Sequence, residues 1–260
     1  MRLKITQLME ELKFTGMATA LEKVLDDGQK EGDSFEEVIW RLLSEESRYR
    51  QEKSLAYRIK QARLPWDWTL ETFPFKRQPG VNASQIRSLA SLDFIKKAQN
   101  LVFVGPPGTG KTGLAISLAR KAALNGSRVR FYNAQDLLDE LYASLADRTT
   151  SRFVNRLANY DLLVLDELGY LSIKPEKANA FFKLMEMRYN RKSTIITTNL
   201  AYEEWYDLFK RKPLVDALLD RLQHHCITLD INGPSLRSSA ANLAKKIPTG
   251  KSARNPKKEE

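Results

Sequence analysis

Residues 101–114 read LVFVGPPGTGKTGL. Four apolar residues, Leu101 to Val104, form a short buried strand, a glycine-rich loop follows, and a helix opens behind it. Gly105, Gly110, Lys111 and Thr112 satisfy the spacing G-x-x-x-x-G-K-[ST] in the strand–loop–helix context that the pattern requires. The spacing has a geometric reason. Glycines let backbone N–H groups close around phosphate oxygens, and the helix N-terminus adds its positive end. The stretch Gly105, Pro106, Pro107, Gly108, Thr109 and Gly110 is therefore the candidate phosphate cradle, with Lys111 reaching the β and γ phosphates and Thr112 available to Mg²⁺. ATP and Mg²⁺ are the cofactors this predicts. Such loops serve kinases, switches and DNA machines alike, so what the triphosphate drives has to be read from the rest of the chain.

Beyond the loop the chain alternates. The helix from Gly110 ends at Gly126; RVRFY (128–132) is a strand, AQDLLDELYASL a helix, and a further helix lies near 150–159. DLLVLDE carries a continuous apolar strand from Leu162 to Leu165, a helix runs from Lys177 to Asn190, and STIITTN (193–199) is again a strand. A helix with proline in its first turn, Pro213 to Leu222, and the strand CITLDI (226–231) complete the series. Strands that are apolar throughout and separated by helices predict an α/β fold, a three-layer parallel sheet covered on both faces.

In front of this unit, Leu3, Leu8 and Leu12, then Met17, Leu21, Val24 and Leu25, recur at helical spacing. Ser34 with Glu37 forms a capping box for a helix that runs to about Arg63, before Pro65. The expected organisation is a helical domain over 1–64, a linker over 65–80, the nucleotide domain over 81–240 with helix at 82–99, and a basic, disordered tail over 241–260. In the linker, Trp66 and Trp68 either stack on bases or pack against the next domain.

A net charge of +10 and a pI near 9.6 point to a polyanionic partner. The charge is uneven: residues 1–47 are net negative, whereas 48–63 hold six basic side chains and one acid, and 237–260 hold seven and two. Arg48, Arg50, Lys53, Arg58 and Lys60 are the candidates for DNA contact. The single cysteine, Cys226, forms no intramolecular disulfide, no apolar run reaches the length of a membrane span, and a cytoplasmic location is expected. His224, His225 and Cys226 do not read as a metal site, because neighbours on an extended chain point to opposite faces.

Asp166 at the carboxyl end of its strand can hold Mg²⁺, and Glu167 beside it can polarise an attacking water. That pairing suits a hydrolase; a small-molecule kinase excludes water. Asn199, closing the next strand, can orient the lytic water or touch the γ phosphate. Arg221, far from the loop in sequence, can stabilise transition-state charge when a neighbouring subunit supplies it. Asn133, just past the strand RVRFY, reads as an ordinary strand-end turn residue.

GPPGTGKT, LLVLDELGYL, IITTN, the DR of LLDRL and GPSLR together resemble the AAA+ ATPases, in the branch shared by bacterial helicase loaders and IstB-like transposition helper ATPases. The front segments FTGMATALEKVL, LLSEESRYRQEKSLAYRIKQARLP and TLETFPF resemble the IstB-like proteins more than the loaders, and the likeness covers roughly 1–240. The resemblance implies Walker A roles for Lys111 and Thr112, Walker B roles for Asp166 and Glu167, sensor 1 for Asn199, a trans-acting arginine finger for Arg221 and sensor 2 for Arg237. Arg237 lies within the short SLRSSAANLAKK, where the family carries a larger helical lid, and Asn133 falls where the family often places a polar residue that restrains the Walker B glutamate. The implied function is an ATP-dependent assembly on duplex DNA that recruits or stimulates a transposase, with a replicative helicase loader as the alternative. A metabolic phosphotransferase fits Glu167, Asn199 and Arg221 poorly.

Overall fold

The computed structural model describes residues 1–169, 173 and 175–237, so the segment 241–260 expected to be a disordered tail lies outside the described residues. Three helices come first: α1 (Arg2–Glu11), α2 (Thr15–Glu31) and α3 (Phe35–Ala62). Ser34 caps α3 through the expected reciprocal bonds with Glu37, and Arg63 ends it in the left-handed region. A 3-10 turn (Phe75–Arg77), α4 (Ala83–Leu89) and α5 (Asp93–Lys96) lead into the sheet, so the helix expected over 82–99 is two short helices. The break falls at Leu92, whose φ of 63° does not continue a right-handed helix.

Then follow β1 (Asn100–Val104), α6 (Lys111–Leu124), β2 (Val129–Asn133), α7 (Ala134–Ala146), α8 (Thr150–Ala158), β3 (Leu162–Asp166), α9 (Pro175–Arg188), β4 (Ser193–Thr198), α10 (Trp205–Phe209), α11 (Lys212–His224) and β5 (Cys226–Asp230). The five strands are all parallel in the order β2-β3-β4-β1-β5. Leu101, Phe103, Val164 and Ile195 face one layer with α6, while Val102, Leu163, Leu165 and Ile196 face the other with α7, α8, α9 and α11. Both faces being covered explains why the strand sequences run apolar without alternation. α10 was not anticipated; Trp205, Leu208 and Phe209 bury it in the second layer, where Phe209 stacks on Phe181 at 5.4 Å.

α2 and α3 pack as an antiparallel pair around Leu21, Val24 and Leu42. Gly16 lets the helices approach, since a Cβ there would lie 2.7 Å from Tyr49. Glu46, buried on α3, accepts the N–H groups of Gly16 (2.7 Å) and Met17 (3.1 Å) at the start of α2 and pairs with Arg50 at 2.6 Å. Burial works to raise its carboxyl pKa, but the guanidinium and the two N–H donors hold it below the ordinary value. The carboxyl-terminal half of α3 lies against α6 and the edge strand β2, where Arg130 donates to Gln61 O at 3.2 Å.

Arg188 is 1 % exposed and ties three elements together, with no carboxylate in salt-bridge contact among the described residues. It donates to the carbonyls of Leu157 (2.9 Å) and Tyr160 (2.8 Å) at the end of α8, to Thr194 Oγ1 (3.0 Å) and to Ser193 O. Burial lowers its pKa to about 9. Replacing Arg188 by Met strands those acceptors in the core. We expect the Arg188→Met variant to lose about 3 kcal/mol or more of stability, seen as a lower denaturant midpoint with unchanged slope.

Candidate functional site

The phosphate loop leaves β1 and folds back over the carboxyl ends of β1, β4 and β3. Gly108 (φ 82°) and Gly110 (φ 94°) stand in the left-handed region that glycine occupies without strain. A Cβ on Gly108 would lie 2.2 Å from Ser235 Oγ, and one on Gly110 would lie 2.9 Å from the Phe73 ring. The loop is thus walled by two distant segments. The chain after β5 crosses it, with Leu236 N–H bonded to Gly108 O at 2.8 Å, and the linker packs Phe73 and Trp68 against it.

The result is a cavity of about 440 Å³ lined by Gly108, Gly110, Lys111 and Thr112, by Glu167 and Asn199, by Leu236 and Arg237, and by Trp66, Trp68, Pro74 and Arg77 of the linker. Of the two readings of the linker tryptophans, Trp68 packs against Gly113 and Phe73, at the cavity edge. Trp66 is 57 % exposed on the same wall. Gln78 fastens this wall: fully buried, it donates to Thr109 O (2.9 Å) and to Pro234 O (3.0 Å).

Behind the cavity lining, buried Asp166 Oδ1 accepts from two lining residues, Thr112 Oγ1 at 2.8 Å and Thr197 Oγ1 at 2.5 Å. Burial raises the Asp166 pKa above the ordinary carboxylate value, and the two hydroxyls oppose that shift. Lys111 donates to Gly105 O (2.6 Å) and Pro106 O (2.8 Å). Burial lowers its ammonium pKa, against the pull of Asp166. The adjoining hydroxyl and carboxylate oxygens of Thr112 and Asp166 are hard donors suited to Mg²⁺.

Glu167 adopts φ 60°, a conformation that costs a non-glycine residue about 1–2 kcal/mol. Its N–H donates to Thr197 Oγ1 at 2.9 Å, and its carboxylate accepts from Asn133 Nδ2 at 3.2 Å. Asn133 also caps α7 through Gln135 N–H (2.9 Å), so it is both a strand-end cap and a contact to Glu167. Asn199 turns its Oδ1 inward, buried and without a donor among the described residues. A Cβ on Gly169 would come within 2.5 Å of that oxygen.

The structure therefore brings together Lys111, Thr112, Asp166, Glu167, Asn199 and Arg237. Arg221 stands apart. In the last turn of α11 it donates to Glu186 at 3.2 Å and lies 5.9 Å from the Tyr189 ring centroid, in a different cleft. Cys226 is half-buried, its thiol pushed up to about 11 by burial. Sequence reasoning did not single out Thr197, Gln78, Pro74 or Arg77. Thr197 left one trace, since it precedes Asn199 by two residues at the end of the same apolar stretch; Gln78 left none, because only the folded linker brings it to the loop.

Comparison with known proteins places this geometry. The family model described as IstB-like ATP binding protein matches residues 6–244. An ATP-binding protein of insertion sequence IS21 from Pseudomonas aeruginosa is 38% identical over 230 residues, covering 88% of this chain and 87% of that one. Its counterpart in IS232 from Bacillus thuringiensis is 37% identical over 235 residues, covering 90% and 94%. Among solved structures, the DnaC helicase loader aligns with a TM-score of 0.55 and 28% identity over 64% of this chain and 97% of that chain. The replication initiator DnaA bound to AMPPCP and single-stranded DNA, at a TM-score of 0.56 and 20% identity over 72% of this chain and 58% of that one, shares the fold.

Thr197→Val removes the hydroxyl that orients Asp166 and receives the Glu167 N–H. We expect Mg²⁺-dependent ATP affinity to fall by about tenfold, the scale of a hydrogen bond to a charged group. Because that hydroxyl lowers a carboxyl pKa which burial raises, the acid limb of the binding profile should also move to higher pH in the variant; calorimetric titrations across pH measure both.

Proposed function

Because the chain belongs to the IstB-like ATP-binding family, with the AAA+ fold and relatives encoded in insertion sequences, we propose that it hydrolyses ATP as an assembly factor for DNA transposition. ATP joins protomers on duplex DNA, the assembly recruits or stimulates a transposase, and hydrolysis ends it. The observation that carries this reading is the Glu167 carboxylate, tethered by Asn133 beside the Lys111–Asp166 end of the cavity. A carboxylate at that place serves as base toward a water attacking the terminal phosphoryl group.

The roles divide as follows. Backbone N–H groups of the loop and the α6 terminus hold the phosphates, and Lys111 places its charge on the terminal ones. Thr112 and Asp166 would hold Mg²⁺, which when bound neutralises phosphate charge and polarises the phosphoryl group. Glu167 takes the proton of the attacking water, and Asn199 orients that water. Arg237 reaches the same cavity as a sensor of the phosphates. Arg221 lies outside its own chain's cavity, which supports its use by a neighbouring copy: each site then works only when the next protomer is seated. Among the described residues no helix is long and apolar enough to cross a membrane.

The 28% identity with the DnaC loader favours helicase loading as the second reading. The insertion-sequence relatives match at higher identity over a larger share of the chain, which supports transposition. Co-purification with a hexameric helicase in preference to a transposase would reverse that order.

Lys111→Ala should abolish ATP binding and DNA-dependent assembly together. Glu167→Gln should bind ATP normally while phosphate release falls by a factor of about 10²–10⁴, the range of a lost general base, and its DNA complexes should persist. Phosphate release at the normal rate in that variant removes Glu167 from the mechanism. Arg221→Ala should lose about 10³-fold in turnover and recover part of it when mixed with Lys111→Ala subunits, each defect lying in a different chain.

A further inference from the structure

A second concave site lies at the opposite end of the sheet from the nucleotide cavity. Nucleotide-site residues cluster at the carboxyl ends of the strands. Arg128, by contrast, precedes β2, and Asn159 and Tyr160 precede β3, whose paired first residues are Val129 and Leu162. Here a groove of about 360 Å³ runs between α3 and the end of α8, lined chiefly by Tyr57, Arg58, Gln61, Arg128, Arg156 and Tyr160. Among the described residues, it shares none with the nucleotide cavity and no carboxylate lines it.

The state of each arginine decides what the groove accepts. Arg58 keeps its Nε shielded from solvent with no acceptor among the described residues. A buried donor of that kind is costly unless a ligand supplies the acceptor. Arg156 is exposed and stacks on Phe153 at 5.0 Å. Arg128 donates to Asn159 O at 2.7 Å and lies 3.8 Å from Asp161, a carboxylate already engaged by Lys192. Of the three guanidinium groups, only that of Arg128 has a carboxylate within ion-pair range among the described residues, and it shares that carboxylate with Lys192. The neighbouring hollow between α7 and α8 shares Arg156 but adds Glu140 and Asp147 to Arg152, so the positive potential is concentrated on the Arg58 side.

Three other basic groups of α3 differ. Arg48 is paired with Glu45, Arg50 with Glu46, and Lys53 lies over the Tyr49 ring at 4.5 Å. We propose that the groove formed by Arg58, Arg128 and Arg156 seats backbone phosphates of DNA, with Tyr57 and Tyr160 as flat walls beside the strand. This rests on the DNA-binding part of the function proposed above and gives that binding a place. Guanidinium forks match phosphate oxygens in pairs, and aromatic walls accept sugars and bases without reading sequence. Because the groove and the ATP site occupy opposite ends of the sheet, DNA held here leaves the nucleotide free to exchange.

The test uses the full chain and a fluorescent 30-bp duplex, titrated across salt with an ATP analogue present. Changing Arg58, Arg128 and Arg156 together to Gln should lower the slope of log affinity against log salt by about 2–3, at about 0.9 per phosphate lost, and weaken binding at least about tenfold at physiological salt. ATP affinity and DNA-independent phosphate release should stay at the wild-type level. Arg156→Gln alone, at an exposed side chain that does not threaten folding, should lower the slope by about one, and Arg156→Lys should restore most of it.

Wild-type slope and affinity in the triple variant would overturn the groove while leaving DNA binding by the protein intact. No DNA affinity in the wild-type chain would overturn both. Two further outcomes also overturn it. In one, the variant keeps DNA affinity but loses ATP-dependent self-association without DNA, which assigns the groove to an acidic segment of a second copy. In the other, inorganic phosphate at millimolar concentration binds the wild type and not the triple variant while both hold the duplex equally, which assigns the groove to a free anion.

Discussion

One carboxylate oxygen holds the site in register. Asp166 Oδ1 accepts from Thr112 on α6 and from Thr197 on β4, while Asp166 itself ends β3. Three elements that are distant in sequence thereby converge on one atom, and the same Thr197 hydroxyl receives the N–H of Glu167. β4 lies between β1 and β3, so the loop's strand and the acidic strand are not neighbours. The Thr112 hydroxyl, on the helix behind the loop, reaches across to the acidic strand directly, and the Thr197 hydroxyl ties the intervening strand to the same oxygen. Burial makes the arrangement both costly and effective: it works against ionisation of Asp166 and of Lys111, and it strengthens each charge's attraction for a charged ligand.

Around this cluster the wall of the cavity is built by segments outside the strand–helix alternation. The linker contributes Trp66, Trp68, Pro74 and Arg77, and the stretch after β5 contributes Leu236 and Arg237. Gln78 joins the two by bonding to the loop and to Pro234. Closure of the cavity thus depends on how the front of the chain and its rear meet over the loop. That dependence offers a route by which a ligand on the front helices could influence the nucleotide, because α3 runs directly into the linker and lies along α6.

The groove at the other end of the sheet draws on the same helix. α3 begins in the acidic pair with α2 and ends against α6 and β2, so its two halves have different partners and different charge. Its first half exposes Phe35, Ile39, Trp40 and Leu43, its second carries the guanidinium of Arg58 into the groove. One long helix therefore spans from an apolar surface to a cationic one.

The phosphate loop, the parallel α/β alternation, the capped long helix and the acidic pair Asp166–Glu167 were legible in the residues themselves, because each rests on local chemistry: glycine at positive φ, apolar runs of strand length, a serine three residues before a glutamate. Family resemblance, read from the same motifs, agreed with the later comparison over nearly the whole chain. Tertiary structure alone decided the rest. It broke the helix expected over 82–99 at Leu92, added α10, and recruited Thr197, Gln78 and the linker to the cavity. It also separated Arg58 from the basic residues beside it, by withdrawing acceptors from one guanidinium and giving them to others. The reason is physical: a side chain's type and spacing are local facts, but which hydrogen-bond partners it meets, and how much water it keeps, depend on elements a hundred residues away.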